Sequence, residues 1–273
     1  MIFLHIFLFL VTIASTIFVG GYVYSCAIMT ILLCHEMGHY VMTRRHGIPS
    51  TLPFFIPLPL PPFGTFGALI KMKGMITDRK ALFDIGVAGP LAGFIVAVPF
   101  IVAGIKLSTI TTTLGVPASS YMELGEPLLF KILEFVLIGK IPDGHELMLH
   151  PLAYAGWVGL FVTSLNLLPV GQLDGGHVVY AVFGRRSKWV FYGVIAGLGI
   201  LAILHNIGWF TLVVLLMIFG RNHPRPYDDE TVLDGRRKKL AIVVLAVFIL
   251  SFIPAPFPEM TTRNLLQKGG LFP

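Results

Sequence analysis

The chain has 273 residues, of which 55% are hydrophobic and only 12% are charged, and its formal net charge is +6. Soluble domains carry about twice that charged fraction, so the composition excludes an ordinary soluble protein and predicts one that crosses a membrane several times. Basic residues in so apolar a chain more often mark cytoplasmic loops than a nucleic-acid surface, and we expect no nucleic-acid partner. The two cysteines, Cys26 and Cys34, lie on one apolar segment, which argues against a disulfide framework.

The apolar segments along the chain predict the fold class. A membrane-spanning helix needs about 20 mostly apolar residues, and the candidates are residues 2–19, 22–43, 82–105, 152–183, 189–206, 207–220 and 239–253. The segment 152–183 is too long for one helix and contains Pro169, so we expect a break there, and a turn near His205-Asn206 should separate the next two. The sequence predicts an all-α polytopic membrane protein with about six to seven transmembrane helices and a small membrane-associated β-hairpin.

The positions of the basic residues predict the orientation. If the N-terminus is cytoplasmic and the segments alternate, most of the 20 lysines and arginines fall in the inner segments 44–81, 184–188 and 221–239. This is the distribution that the positive-inside rule requires. We therefore expect a multi-pass protein of the cell membrane, in contact with the lipid bilayer, whose active site lies towards the cytoplasmic side.

Two stretches do not fit simple membrane spans. Residues 51–72 are rich in proline, which removes backbone donors and ends helices, so they predict an extended hairpin or re-entrant segment with turns at Gly64 and Gly67. Residues 106–150 form one sizeable outer loop, within which residues 128–138 are expected to form a short amphipathic helix.

The stretch LLCHEMGH at 32–39 places three ionisable groups inside an apolar segment. His35 and His39 are separated by four residues and share one face of a helix, so both imidazoles can bind one ion. Glu36 projects beside them, where it can take a proton from metal-bound water, as in the H-E-x-x-H arrangement of zinc metallopeptidases. A lone membrane histidine is more often structural, but three such groups on one turn would be costly without a partner.

A third ligand must come from elsewhere, because a catalytic zinc takes three protein ligands and leaves one position for water. The candidate is Asp174, which lies with Asn166 and Pro169 where the apolar pattern breaks. His177 is a competing ligand. A structural alternative is that Asp174 only caps a helix that starts after the break.

The chain resembles the site-2 protease family of intramembrane zinc metallopeptidases. The resemblance is carried by HEMGH at 35–39 and by NLLPVGQLDGG at 166–176, about 130 residues later. FGTFGALI at 63–70 is similar to the family's membrane-associated β-hairpin, and FDIGVAGPLAGF at 83–94 to the glycine-rich start of its next core helix. The resemblance covers about residues 22–185.

The resemblance implies a mechanism and roles for five residues. One Zn²⁺ per chain would be held by His35, His39 and Asp174, with water in the fourth position. Glu36 would take a proton from that water and pass it to the leaving amine. Asn166 would hydrogen-bond the substrate backbone or the developing oxyanion, although it could instead satisfy the broken helix itself.

The implied substrates are transmembrane segments of single-pass membrane proteins, including membrane-tethered regulators, so the implied function is regulated intramembrane proteolysis. The predicted hairpin has unpaired edge groups, and a locally unwound substrate could add to it as a strand. We expect substrate-binding residues at Gly64, Phe66 and Gly67. A helical peptide bond is shielded from attack, and such pairing would expose it.

The predicted domain organisation is one membrane-embedded peptidase domain over residues 1–273, with a catalytic core at about 22–185 and shell helices at 1–21 and 186–255. Residues 106–150 are too few for a PDZ-like domain, and residues 221–273 are too few for the paired nucleotide-binding modules of some family members. A compact member is therefore expected.

A membrane divalent-metal transporter or channel is the alternative, because it would also place histidine and aspartate in broken membrane helices. Glu36 between two ligands argues against it, and so does the scarcity of acidic residues along the spans, where Asp84 is the only acid in 82–105, 189–206 and 207–220. A catalytically silent membrane chaperone would tolerate the loss of Glu36, which is present.

Overall fold

The computed structural model describes residues 2–112, 122–204, 208–220 and 225–258. The chain is mostly helical, as predicted. Its helices are α1 (Ile2–Arg45), α2 (Arg79–Leu107), α3 (Leu128–Leu137), α4 (Pro151–Asn166), α5 (Asp174–Phe183), α6 (Ser187–Leu204), α7 (Gly208–Phe219) and α8 (Gly235–Ser251). Two small antiparallel sheets accompany them, β1 (Phe54–Pro57) with β2 (Thr65–Leu69) and β3 (Thr109–Thr112) with β4 (His145–Met148).

The first helix, α1, reverses direction at Gly21. The backbone there has a φ of +79°, in the left-handed region that favours glycine. Thr16 and Ser25 hydrogen-bond through their hydroxyls at 2.7 Å, although residues nine apart in a continuous helix would lie about 13 Å apart. The two halves of α1 therefore pack against each other and correspond to the predicted segments 2–19 and 22–43.

The predicted hairpin is present as β1 and β2, and it runs along the first half of α1. His5 donates from Nδ1 to the carbonyl of Pro53 at 3.1 Å near one end. At the other end Ser15 donates to the carbonyl of Gly64 at 2.6 Å. The rings of Phe9 and Phe55 meet between these contacts with centroids 5.0 Å apart. The hairpin is thus held against the first half of α1 from Pro53 to Gly64.

Helices α2 and α4 pack closely against the second half of α1. At Gly104 of α2, a Cβ would lie 2.0 Å from the backbone nitrogen of Ala153, so only glycine permits the observed contact between α2 and α4. α2 continues through Pro90 and Pro99, which membrane helices tolerate when neighbouring helices satisfy the freed backbone groups. This packing brings α1, α2 and the end of α4 together.

The predicted break near Pro169 is confirmed. α4 ends at Asn166, and α5 begins at Asp174 after a turn. A 3₁₀ turn at Gly184–Arg186, where Gly184 has a φ of +58°, joins α5 to α6. The predicted turn at His205-Asn206 lies outside the described residues.

Within the described part of the chain, three stretches are long and apolar enough to cross a membrane, Ile2–Arg45, Arg79–Leu107 and Asp174–Leu204. The first contains the reversal at Gly21, and α4 and α8 are shorter, with 16 and 17 residues. The predicted number of six to seven crossings therefore stays a prediction.

The outer loop contains the expected short helix, α3, and also the β3–β4 sheet, which the sequence did not predict. Both strands are short, and three of the four β4 residues and all of β3 are exposed. The loop is tied to the rest of the chain at Gly125, whose carbonyl accepts the Trp157 indole N–H at 2.6 Å. The N–H of Gly125 donates to the carbonyl of Pro256 at 3.0 Å.

Candidate metal centre

The residues His35, His39 and Asp174 meet between α1 and the start of α5. The Nε2 atoms of His35 and His39 lie 3.2 Å apart. Oδ2 of Asp174 lies 3.4 Å from Nε2 of His35 and 3.2 Å from Nε2 of His39. Both histidines are buried. Among the described residues this is the one cluster of three His, Cys, Asp or Glu side chains with metal-ligand spacing.

These distances fit a tetrahedral zinc ion. Zinc binds histidine nitrogen and carboxylate oxygen at about 2.0–2.2 Å, so two ligand atoms at a tetrahedral angle are about 3.3 Å apart. All three measured separations agree with that value, and the donor set of two imidazoles and one carboxylate is common for zinc. A bound cation would neutralise the carboxylate charge and occupy the lone pairs of both imidazoles, groups that are costly to bury unpaired.

The ring of His39 is oriented by α2. Its Nδ1 donates to the backbone carbonyl of Ile85 at 2.8 Å, so that in the neutral ring Nε2 carries no proton and is directed at the cluster. Metal-binding histidines almost always donate their second ring nitrogen in this way, because the bond holds the tautomer and the ring angle. The sequence does not reveal this contact, since its acceptor is a backbone atom.

Two glycines of α2 leave room for the histidine rings. A Cβ at Gly89 would lie 2.0 Å from Nε2 of His39, and a Cβ at Gly93 would lie 3.0 Å from Nδ1 of His35. The pair is spaced by four residues, so both face α1. Sequence reasoning described the segment as glycine-rich without assigning these positions a role, although the spacing of four could have indicated one.

Glu36 lies on the same helical turn as the ligands and is 5% exposed. It lies near the backbone of Ile70, the residue that follows β2. The hairpin therefore leads directly to the residue predicted to be the general base.

Asn166 reaches the cluster from the end of α4. Its side-chain amide lies 3.3 Å from Nε2 of His35, so it borders the metal position instead of only satisfying the broken helix. Asp174 is the first residue of α5, whose N-cap is Leu173 and has no side-chain capping bond. His177 is buried one turn further on, against Gly86 of α2, outside the ligand cluster.

The three hairpin residues predicted to bind substrate differ in position. Gly64, with a φ of +75°, packs on α1, where its carbonyl accepts the Ser15 hydroxyl. Gly67 has a φ of +94° and lies where the register between β1 and β2 shifts, at a β-bulge. Phe66 is 74% exposed. The second edge of β2 pairs with no other strand in the described part of the chain.

Comparison with known proteins agrees with this geometry. The model of the family described as "Peptidase family M50" matches residues 23–215, which include both halves of the cluster. The chain belongs to peptidase family M50. This is the family of the site-2 proteases, so the resemblance that the motifs indicated is confirmed.

Two plant relatives illustrate the similarity to M50 members. The chain is 34% identical to "Probable zinc metalloprotease EGY1, chloroplastic" from Oryza sativa subsp. japonica, over 83% of this chain and 39% of that protein. It is 31% identical to "Probable zinc metalloprotease EGY2, chloroplastic" from Arabidopsis thaliana, over 83% of this chain and 40% of that protein. The chain thus spans about two fifths of the length of these relatives.

A solved structure, "Site-2 Protease from Methanocaldococcus jannaschii", also matches the chain. It is 16% identical, the match covers 90% of this chain and 85% of that one, and the TM-score is 0.35.

Proposed function

We propose that this chain is an intramembrane zinc metalloendopeptidase that cleaves transmembrane segments of single-pass membrane proteins. The observation that carries the proposal is the spacing of His35, His39 and Asp174, which matches a tetrahedral zinc site and lies beside a buried glutamate. Membership of family M50 supports it, as do the names of the two plant relatives. The helices that carry the site are long and apolar enough to cross a membrane.

The metal would be held by Nε2 of His35, Nε2 of His39 and Oδ2 of Asp174, one ion per chain. Bound Zn²⁺ supplies Lewis-acid chemistry, which acidifies water and polarises a carbonyl group. The protein contributes the geometry: the Ile85 carbonyl orients His39, and the start of α5 directs Asp174 inward. The apolar helices around the site limit access of other water molecules.

Glu36 acts as the proton carrier in this proposal. Its carboxylate takes a proton from the attacking water as the oxygen bonds to the scissile carbonyl carbon. When the peptide C–N bond breaks, Glu36 returns the proton to the leaving amine. Asn166, beside His35, donates its amide N–H to the substrate backbone or to the carbonyl oxygen as negative charge develops there.

The hairpin would bind the substrate as an added strand. β2 has one unpaired edge and ends beside Glu36, so a substrate strand paired to it would pass the general base. Gly67, at the bulge, and the exposed Phe66 would contact the substrate, and Gly64 would shape the turn from its position on α1. Main-chain pairing unwinds a helical substrate and exposes its peptide bonds.

The remaining features of the proposal concern the membrane. We infer six to seven crossings with the N-terminus and the active site towards the cytoplasmic side of a cell membrane, because most basic residues fall on the segments assigned to that side. The plant relatives are named as chloroplastic. Membrane-tethered regulators would be natural substrates, with residues 22–185 as the catalytic core and residues 1–21 and 186–255 as shell helices of one domain.

A metal transporter or channel is less well supported by the structure. Transport through the helices would need polar groups on both sides of the metal site. Asp84 is the one acidic residue in segments 82–105, 189–206 and 207–220. Its carboxylate already accepts hydrogen bonds from His46 and Arg237. Its carboxylate is therefore part of a structural network.

The experiment compares the wild-type chain with Glu36→Gln, purified in detergent, on a panel of single-pass transmembrane substrates. Bound metal and cleavage are measured on the same samples. Glu146→Gln is the matched control, because it makes the same substitution at an exposed glutamate on β4. One zinc per chain in all three proteins, with cleavage lost only in Glu36→Gln, is the expected result.

Two other results would overturn the proposal. Cleavage that survives Glu36→Gln would refute the proposed general base. Metal binding without cleavage of any panel member, together with metal flux across liposomes, would favour transport.

A further inference from the structure

We propose that Arg237, on α8 and far in sequence from the metal motifs, is a positioning residue for the ligand His39. The inference rests on the proposed function of the His35, His39 and Asp174 site, since it concerns how that site is held. It assigns to α8 a role in metal binding.

The link between Arg237 and His39 passes through two consecutive residues of α2. Ile85 supplies the carbonyl that accepts the Nδ1–H of His39 at 2.8 Å. Its neighbour Asp84 accepts Nε–H of Arg237 at Oδ1 at 2.8 Å, and it accepts Nη2–H of the same guanidinium at Oδ2. The carboxylate and the guanidinium are therefore paired through two parallel hydrogen bonds, the strongest arrangement that these groups form.

The same carboxylate also holds the helix that carries the metal motif. Nε2 of His46 donates to Oδ2 of Asp84 at 2.9 Å. His46 follows α1 directly and comes seven residues, or two helical turns, after His39, so the two lie on the same face. Asp84 thus ties α8, the start of α2 and the end of α1 together at one point.

The hydrogen bonds of Asp84 hold α2 in the region where it contacts His39. The backbone of α2 packs directly on the ligand, because a Cβ at Gly89 would already collide with the His39 ring. A small axial or rotational shift of α2 would move the Ile85 carbonyl and tilt the ring that it orients. Metal sites require ligand distances within about 0.2 Å of their ideal values, so such a shift would weaken binding before it disrupts the fold.

Arg237 is also held in place by Asp234 at the start of its own helix. Oδ1 of Asp234, the N-cap of α8, accepts the backbone N–H of Arg237 at 3.0 Å, and Oδ2 accepts Nη1–H of its guanidinium. The side chains of Arg237 and Asp84 are 26% and 16% exposed. A pair that is partly buried and oriented in this way is screened less than a surface ion pair.

The test measures metal affinity and the geometry of the site in the full-length chain in detergent. The variants are Arg237→Gln, Arg237→Lys, Asp84→Asn and the double variant Arg237→Gln/Asp84→Asn. The matched control is Arg236→Gln, which removes the neighbouring, exposed arginine. Zinc affinity is measured by competition with a chelator, the electronic spectrum is recorded with Co²⁺ in place of zinc, and thermal unfolding is followed in parallel.

Arg237→Gln is expected to weaken zinc binding about three- to tenfold, less than the 10- to 100-fold typical of a group that contacts a metal ligand directly. The Co²⁺ spectrum should shift with it. Asp84→Asn should have a similar effect, the double variant should be no worse than either, and Arg237→Lys should recover part of the loss. Arg236→Gln should match the wild type.

The inference fails if Arg237→Gln unfolds at a lower temperature but keeps the wild-type zinc affinity and Co²⁺ spectrum, since Arg237 would then only stabilise the fold. If Arg237→Gln does not fold, the zinc affinity and Co²⁺ spectrum of Asp84→Asn and Arg237→Lys test the positioning role instead. Wild-type protein that binds no zinc would instead refute the metal site itself.

Discussion

The substitution Gly89→Ala should remove the metal while leaving the fold intact. The added Cβ would lie 2.0 Å from Nε2 of His39, whereas ordinary contact begins at 3.4 Å. Because the nearest atoms belong to the metal ligand, the imidazole must move by about 1.4 Å, which is several times the roughly 0.2 Å that a metal site tolerates. We expect zinc affinity to fall by more than about 100-fold, beyond the range for groups that only support a ligand.

The effect of Gly89→Ala on stability should be much smaller. Overpacking a buried contact costs about 1–3 kcal/mol, and replacing glycine by alanine within a helix returns about 1 kcal/mol. A net loss of about 0–2 kcal/mol corresponds to a Tm lower by less than about 8 °C for a chain of this size. The variant should therefore be purified as a folded protein that lacks zinc.

The assay is zinc per chain by elemental analysis, with affinity by chelator competition and Tm on the same preparation. Gly197→Ala on α6 is the matched control, because a Cβ there meets no atom within 4 Å, and it should bind zinc like the wild type. Gly93→Ala, with its closest contact at 3.0 Å, should be intermediate. Wild-type zinc affinity in Gly89→Ala would show that His39 does not bind the metal in the arrangement described.

Three further outcomes are expected. Asp174→Ala should lose zinc binding. His177→Ala should keep zinc but lose about 2–4 kcal/mol of stability, because it leaves a buried cavity. Elemental analysis measures the zinc content of each variant, and thermal unfolding measures its stability. Tyr24→Phe and Tyr154→Phe each remove a 2.7 Å hydrogen bond to a carbonyl at the hairpin tip, so each should cost about 0.5–1.5 kcal/mol and together raise KM in the cleavage assay without changing zinc content. Burial raises the pKa of Glu134 from 4.5 to about 7, so the folded state binds this proton more tightly than the unfolded state, and stability should fall as pH rises from about 4.5 to about 7. Thermal unfolding at several pH values should show that Glu134→Gln flattens this dependence. A pH profile unchanged by Glu134→Gln would contradict the assignment.

The parts of the site that the sequence predicted are those with a local pattern. The spacing of His35 and His39 defines a helix face without any knowledge of the fold. The cost of Asp174 inside an apolar segment required a cationic partner, and the structure places this carboxylate beside the two histidines. The hairpin was recognisable from its prolines, and the break near Pro169 from the loss of the apolar run.

The parts that it did not predict depend on atoms or pairs without a local pattern. The acceptor for His39 is a backbone carbonyl, which every residue has. Arg237 and Asp84 are 153 residues apart, and nothing near either residue indicates the other. The β3–β4 sheet was missed because its strands are short and exposed, so they bury no alternating apolar face.

The separation of the proposed metal ligands along the chain has a consequence for biosynthesis. Asn166 lies 131 residues after His35, and Asp174 comes later still. At about 5–20 residues per second, the ribosome needs roughly 7–26 s to reach this second half of the site after the first has been made. During that interval two histidines and a glutamate enter the membrane without their partner, so the insertion machinery or the hairpin that follows them must shelter these groups until the newly synthesised chain completes the site.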